Sequence, residues 1–386
     1  MTVRGSRVLL GIVAPVLFLS ACDSLGGRGD VIHPIADSLT APPGEATALS
    51  RTRGPASAAS AGKIRAFRER FERRETIGRI GDLDGGEETT FALLWDAALT
   101  EAGEVLILDR IQTVVRVFTV EGEYLYTLGG QGEGPGELQV PEAVLISPAG
   151  DLIVVDQAQL IHRFTKQEGR FEYQDRTRFQ AVIYDACLAG EDLVVHAMRR
   201  EREPEILYRV PTERSPELGF AVPYRHSDPL VYGTVSRGQI ACSSLGSVAV
   251  IAYRERNAIE GYRVADGRGV WHARIEDFWA TEIREEVSGQ RRVRRGIFDN
   301  DALHFLERIA GGSSAPVFVQ HRFYLSRDLR DQTGHYTLET YALDPETGEG
   351  EFWGDSLPSM LAVTDEFVVF SWEAPYPRVE VARIPK

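Results

Sequence analysis

The chain has 386 residues, with 57 acidic side chains against 43 Lys and Arg, and a formal net charge of −14. That balance excludes general nucleic-acid binding, which depends on basic surface. Hydrophobic residues make up 43% of the sequence, ample at this length for a large core, and the eight histidines show neither His-Glu-x-x-His nor any other metal spacing, nor is there a Cys-x-x-Cys.

Residues 1–21 read as a leader. Arg4 and Arg7 precede an apolar run from Val8 to Leu19, shorter than the roughly 20 residues a membrane span needs. Leu19-Ser20-Ala21-Cys22 resembles a bacterial lipobox, which implies that Cys22 carries the lipid anchor and becomes the mature amino terminus. The implied partner is a membrane, and the implied location is the periplasmic or cell-surface side. Asp23, by resemblance to enterobacterial lipoproteins, favours the inner membrane. Loss of Arg4 and Arg7 with the leader takes the net charge from −14 to −16. Residues 22–63 are rich in Ala, Gly, Ser and Pro and read as a flexible tether, with a typical reach of about 35 Å.

From residue 64 onward the sequence repeats. Ala102-Gly103-Glu104-Val105-Leu106-Ile107-Leu108-Asp109 is echoed by Ala149-Gly150-Asp151-Leu152-Ile153-Val154-Val155-Asp156, 47 residues later. Glu121-Gly122 and Glu168-Gly169 keep the same interval. A fixed period of this size marks a repeated supersecondary unit. Further β-rich runs follow turn pairs at Ala189-Gly190 and Leu245-Gly246, then at Phe318–Leu325 and after Thr364-Asp365. The count predicts an all-β, six-bladed β-propeller. The last unit ends after Val379–Arg383 without its fourth strand, and Glu75–Gly81 resembles an outer strand. An N-terminal strand closing the last blade is therefore expected. Residues 279–316 break the pattern and read as an insertion, with helical turns expected at 282–287 and 302–309. Inserted loops on a rigid scaffold are where binding concentrates.

The densest stretch is similar to the NHL-repeat and bacterial six-bladed β-propeller lipoproteins. Asp109, Val117-Phe118, Gly122, Leu128-Gly129, Gly132, Gly134-Pro135-Gly136, Pro141 and Gly150 fall in the NHL order, whereas Gln112 and Val114 stand where an Asn and an Arg are usual. The resemblance implies a disc with a central channel and ligand sites on one face. It does not imply one activity.

Several constellations have two readings. Asp109 and Asp156, at equivalent repeat positions, suit turn capping, with an acid–base pair or calcium binding as the alternative; no other cofactor is called for. Gly130–Gly136 is a blade-to-blade loop rather than a phosphate cradle, because no lysine follows and Glu133 and Glu137 would repel phosphate. Cys187 and Cys242 are a candidate disulfide between neighbouring units, or else two buried thiols. Arg291, Arg292, Arg294 and Arg295 could grip a carboxylate or phosphate on a glycan or protein ligand, or simply balance Glu282, Glu285 and Glu286. Trp279, with Trp271, Trp353 and Trp372, could stack on sugars or wedge between blades. Together these features point to a membrane-tethered, extracytoplasmic propeller acting as a ligand- or protein-binding module without catalysis. The alternative is a metal-dependent lactonase, lyase or glycan hydrolase on the same scaffold.

Overall fold

The computed structural model describes residues 31–32, 40–42, 45–199, 204–212, 216–223, 229–243, 248–279, 282–288, 291–297, 302–311, 315–325 and 336–386. Its body is a ring of six antiparallel sheets. Blade one is a meander of Leu94–Leu99, Glu104–Asp109, Val114–Thr119 and Tyr124–Gly129. Blade two follows as Pro141–Ile146, Leu152–Asp156, Leu160–Gln167 and Arg170–Arg178, and blade three as Val182–Ala189, Asp192–Met198, Leu207–Arg209 and Leu218–Phe220. Blade four is Gly238–Cys242, Val248–Tyr253, Ile259–Arg263 and Gly269–Ile275, and blade five is Ala302–Ala310, Val317–Leu325, Thr337–Leu343 and Gly350–Gly354. Blade six takes Ser359–Val363, Phe367–Trp372 and Arg378–Arg383 from the carboxyl terminus and Glu75–Ile80 from the amino-terminal side. The closing strand pairs antiparallel, Val379 with Ile80 and Val381 with Gly78. The ring is thus closed by hydrogen bonds between the two ends of the repeat region, which removes an exposed edge.

The repeat has a direct physical cause. Second strands such as Glu104–Asp109, Leu152–Asp156 and Val248–Tyr253 are buried along their whole length because a neighbouring blade covers each face. They therefore read as continuous apolar runs. Gly103 and Gly150 precede two of them with φ of +80° and +86°, a conformation that L side chains rarely adopt. The core consists of clusters between consecutive blades, such as Leu106, Leu108 and Val117 of blade one against Val144, Val154 and Phe164 of blade two. Trp271 is wedged between blades four and five: its Nε1 donates to Pro345 O at 2.8 Å, and a Cβ added to Gly348 would lie 2.2 Å from its ring.

Two expectations are corrected. The segment 282–287 is not helical. Glu282–Ser288 and Arg291–Ile297 form a β-hairpin in the connection from blade four to blade five, and Val31–Ile32 pairs with it as a third strand. Nor is 302–309 helical: Ala302–Ala310 is the innermost strand of blade five. A bulge between Leu306 and Arg308 puts Leu306 and Ile309, three residues apart, into one apolar cluster. That spacing imitates a helical stripe.

The expected tether of 22–63 is also shortened. Thr47–Leu49 adds a parallel fifth strand to blade four, with Leu49 fully buried. Helix α1 (Ala58–Glu72) is capped by Ser57, whose Oγ accepts from Ser60 N, and it seats Ile64, Phe67 and Phe71 against blades five and six. The alanines that resemble a linker are strong helix formers, and the apolar stripe that docks them begins only at Ile64. Among the described residues, no helix is long and apolar enough to cross a membrane. The leader, Cys22 and Asp23 lie outside the described residues.

Candidate functional site at one end of the channel

The innermost strands surround a channel with a cavity of about 660 Å³, lined by all six blades. Five of them carry a register shift, at Trp95, Glu142, Tyr184 and Leu361 near the strand starts and at Glu307 in the middle of the longer blade five strand. Only the innermost strand of blade four pairs without one. A bulge inserts one extra residue and re-aims the side chains beside it. Here the result is a concentration of chemistry at one level of the channel: Trp95, Asp96, Glu142, Tyr184, Asp185, Gln239 and Arg308 all line it. Beyond that level the wall is mostly small and apolar, with Ala97, Val144, Ala186, Ala241 and Ala310.

Part of this polar set fastens one blade to the next. Asp96 Oδ2 accepts from Val144 N at 2.9 Å, Asp185 Oδ2 from Ile240 N at 2.8 Å, and Gln239 Oε1 from Ile309 N at 3.0 Å. Arg308 spans from blade five to blade one, donating from Nη1 to Trp95 O at 2.6 Å, and its Nε is buried with no hydrogen-bond partner. Glu142 meets Arg110 Nη2 at 2.5 Å, and the Arg110 guanidinium lies 4.2 Å from the Trp95 ring centroid.

The electrostatics favour neutral acids. Burial raises Glu142 to about 8, outweighing the Arg110 contact that pulls it down. Burial raises Asp185 to about 7, against the hydrogen bond from Ile240 N, with the nearby Asp96 adding to the rise. Burial likewise raises Asp96 to about 6, opposed by Arg308. His196 packs at a tilt against Tyr184 with 5.5 Å between ring centroids, and burial lowers it to about 4. Near neutral pH the channel end therefore offers a largely protonated Glu142 that can donate, a half-ionised Asp185, a mostly ionised Asp96, an aromatic pair and one cation. Such a set can orient a polar ligand against an apolar wall.

The sequence-predicted site residues lie elsewhere. Arg291, Arg292, Arg294 and Arg295 are in the outer strand of the 282–297 hairpin, in register with Ser288, Val287, Glu285 and Arg284 respectively. Trp279 is 40% exposed outside the channel, its backbone N donating to His304 Nδ1 at 3.0 Å. Trp271 and Trp353 are buried. Cys187 and Cys242 are joined by a disulfide between the innermost strands of blades three and four, with Cα atoms 5.5 Å apart. Asp109 accepts from the backbone N–H groups of Ala92, Leu93 and Gln112, and Asp156 from those of Gln139, Val140 and Ala158. Both aspartates therefore cap turns. Asp109 also faces Arg116 at 3.5 Å, with both side chains buried, so the arginine absent at Val114 is supplied two residues later. The nearby glycine-rich loop is occupied by its own acid, Gly134 N donating to Glu137 Oε2 at 2.7 Å. Among the described residues, no group of three or more His, Cys, Asp or Glu side chains converges to hold a metal ion.

The channel residues were missed because bulge positions leave no composition signal. One clue was available. Arg110, Arg199 and Arg254 each follow directly on the second strand of their blade, a repeat position that aligning the units would have exposed.

Ring closure, blade count and channel define the class of this chain: it is a six-bladed β-propeller. The sequence matches no protein-family profile and no curated protein. Among solved structures, it is similar to an exported protein of Bacteroides fragilis, with a TM-score of 0.52 and 12% identity over 89% of this chain and 100% of that one. It is also similar to virginiamycin B lyase from Staphylococcus aureus, with a TM-score of 0.43 and 13% identity over 80% of this chain and 98% of that one. Likeness at such identities concerns the fold alone.

Proposed function

We propose that this chain is a membrane-tethered, extracytoplasmic β-propeller that binds a ligand at the bulged end of its channel, without catalysis of its own. The observation that carries the reading is the placement of Trp95, Asp96, Glu142, Tyr184, Asp185 and Arg308 at one level of a channel whose remaining wall is mostly apolar. Structural fastening accounts for Asp96 and Asp185, but leaves the buried Nε of Arg308 without a partner.

Cys22 is the proposed anchor. Val31, which pairs with the blade four-to-five hairpin, lies nine residues after it, and nine extended residue steps span at most about 30 Å. The hairpin joins Gly269–Ile275, the fourth strand of blade four, to the innermost strand of blade five, and so lies on the same side of the ring as the bulged strand ends. The short leash would hold that side toward the membrane.

The test is a screen of small polar compounds against the mature protein by thermal shift, with calorimetry on the hits. Binding should weaken about tenfold or more in Trp95→Ala and Arg308→Met, the usual scale for losing a central contact, and stay unchanged in Trp279→Ala. Hits indifferent to Trp95 and Arg308 would move the site out of the channel. Expressed with its leader, the protein should fractionate with membranes and incorporate labelled palmitate, and Cys22→Ala should do neither; an unlabelled wild type removes the anchor.

A further inference from the structure

The arginines around the bulged end of the channel fall into two groups. Arg110 pairs with Glu142, and Arg322 is held by both carboxylate oxygens of Glu307 and by Glu373. Arg237 and Arg254 differ: among the described residues, neither has a carboxylate within ion-pair distance. The fold nevertheless sets them side by side. Arg237 directly precedes the innermost strand of blade four, Arg254 directly follows the second, and Arg254 N donates to Arg237 O at 2.8 Å.

Arg254 packs closely on an aromatic ring, and the exposed Arg237 reaches toward a second one. Arg254 Cζ sits 4.1 Å from the Phe305 centroid, and Arg237 Cζ 6.0 Å from that of Tyr184, a residue of the channel wall. Arg254 Nε is buried without any hydrogen-bond acceptor. Burial, Arg237 and Arg322 all push the Arg254 guanidinium below its usual range, while Glu255 and Glu307 oppose them. Glu307 is already committed to Arg322. Arg254 is thus a partly desolvated cation short of an acceptor, with a second, exposed cation on the neighbouring strand, and an anion would relieve that arrangement.

We propose that Arg237 and Arg254 form a receptor for an anionic group, a carboxylate, sulfate or phosphate, carried by the ligand of the channel end. This inference rests on the ligand-binding reading above and names the chemistry of one part of that ligand. Guanidinium forks match the oxygens of such anions bidentately, and stacking on an aromatic ring fixes the plane in which they do so. Phe305 supplies that ring for Arg254, and Tyr184, within 6.0 Å of the Arg237 guanidinium, connects the anion site to the channel.

The test titrates inorganic phosphate and sodium sulfate into the mature protein by calorimetry, with chloride holding ionic strength constant. Saturable binding is expected for the wild type. It should weaken by about tenfold in Arg237→Gln, which removes an exposed charge, and also in Arg254→Lys, which keeps the charge and loses the fork. Wild-type protein with no saturable anion binding, or variants that bind as the wild type does, would overturn the proposal. Compounds from the screen above separate this failure from that of the parent reading. If they bind in a Trp95-dependent manner and ignore both arginine substitutions, the anion site is wrong while ligand binding stands.

Discussion

Phe71→Ala tests whether the segment after the proposed anchor is part of the fold. Phe71 is 2% exposed on helix α1 and touches Phe67, Phe318, Trp353 and Phe370, with ring centroids 6.1, 6.0, 5.1 and 6.3 Å away. Truncating a buried phenylalanine costs about 3–5 kcal/mol through lost transfer energy and the cavity left behind. In a domain of this size about 1 kcal/mol corresponds to roughly 2 °C, so Tm should fall by about 6–10 °C. If undocking the helix costs less than repacking around the cavity, the helix will detach instead. The fall in Tm will then be smaller, and Arg65, Arg68, Arg70 and Arg73 will become open to trypsin. Differential scanning calorimetry and timed proteolysis of wild type and variant distinguish these outcomes, with the exposed Arg65→Ala as the control. A Tm change under about 2 °C, with wild-type cleavage at these arginines as fast as in an unfolded peptide, would refute the docked helix and restore a free tether to residue 63.

Two further predictions concern stability. Asp96, Asp185 and Glu142 are raised in the folded state to about 6, 7 and 8, so the native protein holds protons that the unfolded chain releases, and stability falls as pH rises through those values. Buried His196 and His321, lowered to about 4 and 3, act oppositely, but only below their ordinary value near 6.5. Between pH 6.5 and 9 only the carboxyl loss remains, on the order of 2–3 kcal/mol; thermal melts should show Tm declining across that window, and less so in Asp185→Asn. A flat profile would mean that water reaches these acids freely. Reducing Cys187–Cys242, whose sequence separation is 55, should cost about 4 kcal/mol by loop-closure entropy. Intact mass after alkylation with and without reductant, paired with melts, checks it; free thiols in the unreduced protein would remove the bond.

How far the fold was legible follows from how each element is buried. The strands of blades one and two announce themselves because both faces are covered and their turns require glycine, as at Gly103 and Gly150. The closing strand Glu75–Ile80 was legible because an incomplete last blade needs a partner. The aspartates were assigned to turn capping by their repetition, and the backbone donors around Asp109 and Asp156 agree with that assignment. Helix α1 escaped because alanine and serine serve linkers and helices equally, and docking depends on aromatic rings nearly 250 residues further on. The strand Ala302–Ala310 escaped because its bulge converts a two-residue period into a three-residue one.

The site divides along the same line. By itself the sequence determined a repeated β unit, its number of copies and the means of ring closure, because those depend on local turn chemistry and on a period that survives in the residues. Only the tertiary structure decided where the chemistry lies. Trp95, Glu142, Tyr184 and Arg308 come from four blades and share a channel because the innermost strands of those four blades are bulged there. Convergence of that kind depends on strand register, and register is set by contacts between blades rather than by any neighbouring residues along the chain.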